Sequence, residues 1–235
     1  MPPEFSSFPT GGHAVILGSS GGIGSAMVEA AKASGQFARV SGFSRPEFDV
    51  TDETSIAAAA EIIRQTELPL RLVLVATGYL HGAQGMPEKG IKQLDPALMA
   101  HNFQVNAIGP ALVMKHFLPL MARDGKAVFA VVSAKVASLG DNQLGGWHSY
   151  RASKTALNMY LKNASIEMAR TRPELVLASL HPGTVETRLS QPFAKAGLDV
   201  RPASDAATDM IRVMDGLTPA ETGGFFNHLG ARLPW

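Results

Sequence analysis

Short, unbroken apolar runs alternate with helix-period segments along nearly the whole of this chain, and that alternation narrows its fold more than any other feature. Continuous runs stand at residues 14–17, 72–76 and 127–132, with a mixed run at 176–180, each rich in Val, Leu and Ile. Each closes in Gly, Ser, Thr or His-Pro. A run without polar alternation has to be covered on both faces, as a strand inside a parallel sheet is. Helical spacing fills the intervals at 22–34, 52–65, 96–121 and 149–170. Right-handed crossovers then give a single three-layer α/β domain over 1–235, a doubly wound parallel sheet with helices on both faces. Residues 183–203 break the pattern with Pro192, Gly197 and Pro202, and are expected to form a flap.

The rest of the composition mainly excludes. Lys+Arg 21 against Asp+Glu 20 leaves a net charge of +1, which gives no bulk attraction for nucleic acid. The absence of cysteine removes disulfides, thiolate chemistry and Cys-held metals. The seven histidines form no HExxH or HxH arrangement, so no metal is expected. The longest apolar run, 127–132, is far short of the ~20 residues of a membrane helix. Residues 1–10 have neither the basic nor the apolar region of a secretory signal, so a soluble, cytoplasmic protein is expected.

Behind the first strand stands Gly18-Ser19-Ser20-Gly21-Gly22-Ile23-Gly24, a G-x-x-x-G-x-G spacing where strand gives way to helix. Backbone N–H groups and the positive helix end can hold a pyrophosphate there, with glycine where a side chain would block it. At the end of the second strand no Asp or Glu waits for a ribose 2′-hydroxyl; Ser44 and Arg45 stand there instead. A hydroxyl and a guanidinium suit a 2′-phosphate, so NADP(H) is expected in preference to NAD(H).

Tyr150-Arg151-Ala152-Ser153-Lys154 opens the last long helix. Residues i and i+4 share a face, so phenol and ammonium can meet in one site. A free phenol titrates near ~10, too high for efficient proton transfer at neutral pH. A lysine charge ~4 Å away at an effective dielectric of ~20 is worth about 4 kcal/mol, enough to bring the phenol near 7.

Together these residues resemble the short-chain dehydrogenase/reductase family from about His13 to the C-terminus, and within it the C-factor-like subgroup. The resemblance implies a Rossmann fold. Gly18, Gly22 and Gly24, with Ser20 and Ile23 between and beside them, match the cofactor loop. Asp49-Val50 match an adenine-contacting pair, and Asn106 matches the catalytic asparagine. Tyr150 and Lys154 match the catalytic pair, and Pro182-Gly183-Thr184-Val185-Glu186-Thr187 match the segment over the nicotinamide. Gly78, Asn106, Tyr150, Lys154, Pro182, Gly183, Val185 and Thr187 are thereby implied as cofactor contacts. The subgroup likeness rests on Ser133-Ala134-Lys135, Gly145-Gly146-Trp147 and Phe225-Phe226…Leu233-Pro234-Trp235.

The chain departs from the family pattern in two places. Asn-Ala-Gly becomes Ala76-Thr77-Gly78, and the serine expected about 13 residues before the tyrosine falls at Ser133, 17 before it. Ser133 is taken as the catalytic serine, with Ser138 as the alternative. Tyr79, Leu80 and His81 follow a strand's C-terminal end, where ligands bind in such sheets. Trp147 either lines the substrate pocket or packs the loop. The implied activity is an oxidoreductase acting on a small carbonyl or alcohol substrate, as a homodimer or homotetramer. The subgroup also holds signalling proteins, so a cofactor-binding regulator is the other class.

Overall fold

The glycine loop and the Tyr/Lys pair lie far apart in sequence, and a single sheet brings them together. The computed structural model describes residues 5–193 and 200–235. Its strands are β1 Gly12–Leu17, β2 Phe37–Phe43, β3 Leu70–Val75, β4 Ala127–Val132, β5 Leu175–His181 and β6 Gly224–Asn227. They run parallel in the order β2-β1-β3-β4-β5-β6. Strand order therefore reverses between β1 and β3, and a crevice opens there at the carboxyl ends of the strands.

Alternation along each strand feeds two cores. Val15, Leu17, Val73 and Val75 face α2 (Glu53–Arg64), α4 (Gly109–Phe117) and α5 (His148–Met168). Ala14, Ile16, Leu72 and Leu74 face α1 (Gly22–Ala33) and α6 (Ala203–Gly216). Both faces of every central strand are covered, which is why those strands read as solid apolar runs. The α/β doubly wound fold is the one the alternation implies.

The helix expected over 96–121 is instead α3 (Pro96–Phe103), a π turn over Gln104–Ile108, α4, and a 3₁₀ turn over Leu118–Leu120. Prolines supply the reason. Pro110 has no N–H to give the carbonyl of Asn106, so the ladder re-registers at that point. Pro119 ends the helix in the same way. Neither α6 nor β6 was anticipated. Of the expected flap at 183–203, residues 194–199 lie outside the described residues. Its base is closed by Val185 pairing with Arg201, and Glu186 N–H donates to the Arg201 carbonyl at 2.8 Å.

Candidate active site

The β1–α1 loop is tied to the neighbouring strand, since the N–H groups of Gly18 and Ser19 both donate to the Phe43 carbonyl at 2.8 and 3.1 Å. Gly18 sits at φ +91, and a Cβ there would come within 3.0 Å of the Ala76 backbone. Only glycine lets the loop lie that close to the end of β3. Gly24 presses against the Gly18 carbonyl, leaving no space for a side chain. Gly21, the N-cap of α1, offers no side-chain acceptor, and the first turn has no acidic residue. The positive end of α1 therefore faces the crevice unscreened. Ser20 is exposed on the loop's rim and Ile23 is half-buried. A glycine cradle with open donors fits a dinucleotide's pyrophosphate.

Ser44 and Arg45 follow β2 on the same side, Arg45 exposed and, among the described residues, in no ion pair. The Asp49 carboxylate accepts from the Thr51 N–H at 2.9 Å and hydroxyl at 2.7 Å, which hold its pKa below the usual range. Val50 is buried beside it, and its carbonyl abuts Gly109 at the start of α4.

Two of the catalytic candidates, Lys154 and Asn106, meet at Gly78. A Cβ on that exposed glycine would lie 3.6 Å from Lys154 Nζ and 3.7 Å from Asn106 Oδ1. Lys154 is buried and donates to the Val132 carbonyl at 2.8 Å, fixing its ammonium at the end of β4. Asn106, fully buried in the π turn, brackets Tyr79: its Oδ1 accepts from Tyr79 N–H and its Nδ2 donates to the Tyr79 carbonyl, both at 2.8 Å. The same Nδ2 lies 3.0 Å from Ser153 Oγ on α5. One amide thus ties the segment after β3 to α5. Tyr150 lies one turn before Lys154 with its ring buried.

The electrostatics differ from the sequence expectation. Burial pushes the Tyr150 phenol up from its ordinary value, where a fall toward 7 was expected. Burial also lowers Lys154 to about 8. The ammonium is turned onto a backbone carbonyl, so desolvation of the phenolate decides the direction.

Ser133 is buried and donates to Asn158 Oδ1 at 2.8 Å. A hydroxyl has one proton, so Ser133 must leave Asn158 to donate to a substrate. Ser138 caps a turn, accepting from Asp141 N–H at 3.1 Å and facing the Trp235 carbonyl at 3.4 Å. In the Pro182–Thr187 segment, Thr187 Cγ2 would stand 3.1 Å from a Cβ on Gly22, so this stretch lies against the cofactor loop. Gly183, at φ +80, packs on the His228 ring.

Above Tyr150 the walls are aromatic. Trp147 meets Tyr150 edge-on with ring centroids 6.3 Å apart, and Phe193 lies 4.9 Å from Trp147 and 5.5 Å from His81. His81 also contacts the Arg188 carbonyl at 3.2 Å. Phe193 and Glu88, which bonds to the start of α5, escaped the sequence reading, because neither stands in a motif. A cavity of about 530 Å³ lies elsewhere, on the opposite face of α5, lined by His148, Arg151, Ala152 and Thr155. Residues 150, 154 and 157 point the other way, so that cavity does not open onto Tyr150.

Comparison with known proteins shows the family and the fold. The short chain dehydrogenase family matches residues 41–197. C-signal of Myxococcus xanthus is 39% identical over 143 residues, 60% of this chain and 81% of that protein. A Rhodococcus 1-hydroxy-2-glutathionyl-2-methyl-3-butene dehydrogenase is 32% identical over 190 residues, 81% of this chain and 79% of that protein. Among solved structures, the NADPH-bound carbonyl reductase from chicken fatty liver superposes with a TM-score of 0.82 at 23% identity, covering 98% of this chain and 97% of its own.

Proposed function

The chain belongs to the short-chain dehydrogenase family of NAD(P)-dependent oxidoreductases, and from that premise we propose that it is an NADPH-dependent carbonyl reductase or alcohol dehydrogenase with Tyr150 as its general acid/base. The observation that carries this reading is the meeting of Gly78, Asn106 and Lys154, one helical turn from Tyr150, at the crevice where strand order reverses.

A nicotinamide cofactor, when bound, supplies or accepts the hydride. The residues for it are Gly18, Ser20, Gly22, Ile23 and Gly24 at the pyrophosphate, and Asp49 and Val50 at the adenine. Gly78, Asn106, Tyr150 and Lys154 serve the nicotinamide side, covered by Pro182, Gly183, Val185 and Thr187. Ser44 and Arg45, which is in no ion pair among the described residues, take the 2′-phosphate, which favours NADP(H) over NAD(H).

In the reductive direction Tyr150 gives its phenolic proton to the carbonyl oxygen as that oxygen gains charge. Its burial keeps the phenol protonated near neutrality, the state a donor needs. Lys154, mostly protonated below about 8, places a cation one turn away to stabilise the phenolate left behind. Asn106 holds the Tyr79 backbone and the α5 face in register. Ser133 polarises the carbonyl after turning from Asn158.

The enzyme is cytoplasmic and works as a homodimer or homotetramer in this reading. Exposed Ile108, Met159, Tyr160 and Ile166 on the π turn and α5 support self-association. Among the described residues no helix is long and apolar enough to cross a membrane. The likeness to C-signal supports a second reading, a cofactor-binding signalling protein.

The discriminating experiment is NADPH oxidation against a panel of aldehydes, ketones and quinones. At least one carbonyl compound should accelerate oxidation well above background. A panel with no accelerated member, in a protein that binds NADPH, favours the signalling reading.

A further inference from the structure

Glu88 lies between β3 and α3, outside every motif, and is 2% exposed. Its carboxylate accepts from the Ser149 N–H at 3.2 Å and from the Ser149 hydroxyl. Its backbone carbonyl accepts from the Trp147 N–H, and a Cβ on Gly146 would touch that carbonyl oxygen at 3.5 Å. Asn142 and Arg151 hold Gly145 and Gly146 from within the segment, and Glu88 ties the turn and the first residues of α5 to the loop after β3.

The start of α5 needs such a partner. Gly145, Gly146 and Trp147 run left-handed in succession, at φ +62, +66 and +51. Trp147, the N-cap, has no side-chain acceptor, and the first turn contains no acidic residue. Tyr150 is the third residue of the helix, within the turn whose N–H groups lack intrahelical partners. Lys154, one turn further in, has its own anchor on the Val132 carbonyl.

We propose that Glu88 is a positioning residue for Tyr150, supplying from a distant loop the N-terminal cap that α5 lacks in its own sequence. Among the described residues no lysine or arginine pairs with Glu88. A buried carboxylate is costly unless bonded, and here two donors and the positive helix end compensate for its lost hydration. Removing the carboxylate frees the first turn, and Tyr150 with it, while leaving Lys154 and the glycine cradle in place.

This inference rests on Tyr150 being the proton donor, and the test separates the two claims. The full-length enzyme is assayed with NADPH and phenanthrenequinone, measuring kcat, KM and NADPH affinity. A small misplacement of a catalytic group can cost ~100-fold, so Glu88→Ala should lower kcat by about 10-fold or more with NADPH affinity within about two-fold. Glu88→Gln should recover most of kcat, because its carbonyl can keep the Ser149 N–H bond and its amide can donate to the hydroxyl. In a Tyr150→Phe background Glu88→Ala should cost nothing further.

A folded Glu88→Ala enzyme with wild-type kcat, or one whose NADPH affinity falls in step with kcat, overturns the proposal. Should Glu88→Ala not fold, Ser149→Ala removes one of the two donors; a fall in kcat with unchanged NADPH affinity supports the proposal, and wild-type kcat overturns it. A Tyr150→Phe enzyme as active as wild type overturns the proton-donor reading instead.

Discussion

The two halves of the crevice are built by different means. On the β1–β2 side the geometry is set by backbone: a loop that only glycine can form, an uncapped helix end, and a strand end reached within about 30 residues of chain. On the β4–β6 side it is set by side chains from distant segments. Glu88 steadies the helix of Tyr150, Asn106 locks Tyr79 to α5, and Phe193 closes over Trp147. Local backbone constraint writes itself into a short motif. Convergence of side chains from segments 27 to 61 residues apart leaves no such mark.

Substitution on each side should expose the contrast. The largest effect is expected in the glycine loop, where Gly24→Val drives a branched side chain into the Gly18 carbonyl. NADPH binding, followed by quenching of protein fluorescence, should fall below detection while circular dichroism shows a folded chain. Binding at wild-type strength would show that the loop adapts and that the half is less backbone-determined than described.

Next in size is Arg45→Ala. A charge-assisted contact to the 2′-phosphate is worth ~1.5–3 kcal/mol, or roughly 10- to 150-fold in NADPH affinity, with NADH affinity unchanged. Equal affinities for the two cofactors in the wild type would remove Arg45 from the site.

How much of this was legible follows the same division. The sheet apart from β6, its covered faces and the placing of the glycine loop and the Tyr/Lys spacing on a strand end and a helix followed from runs and spacings, because burial and φ constraints act locally. The break in the helix over 96–121 was also written in the chain, at Pro110 and Pro119, yet helical periodicity masked it. The direction of the Tyr150 shift was not legible. It depends on where Lys154 points, and the Val132 carbonyl that captures the ammonium is invisible in a Y-x-x-x-K spacing. Ser133 shows the same limit, since only the fold brings Asn158 to its hydroxyl.

Ser133→Ala should therefore have the smallest effect of the three. A serine already committed to Asn158 gives up part of any gain on turning to the substrate, so the fall in kcat should be about 10-fold or less, below the ~100-fold typical of a general acid. A loss as large as that of Tyr150→Phe would show that the hydroxyl faces the carbonyl throughout the reaction.

In the proposed mechanism a buried phenol, steadied from outside its own helix, donates the proton. Stopped-flow oxidation of prebound NADPH by a reactive quinone, in wild type and Tyr150→Phe, tests it most directly. The substitution keeps the ring and its packing against Trp147 and removes only the dissociable group. At least the ~100-fold slowing that loss of a general acid brings is expected, with NADPH still bound. Hydride transfer at near wild-type rate in Tyr150→Phe would contradict it.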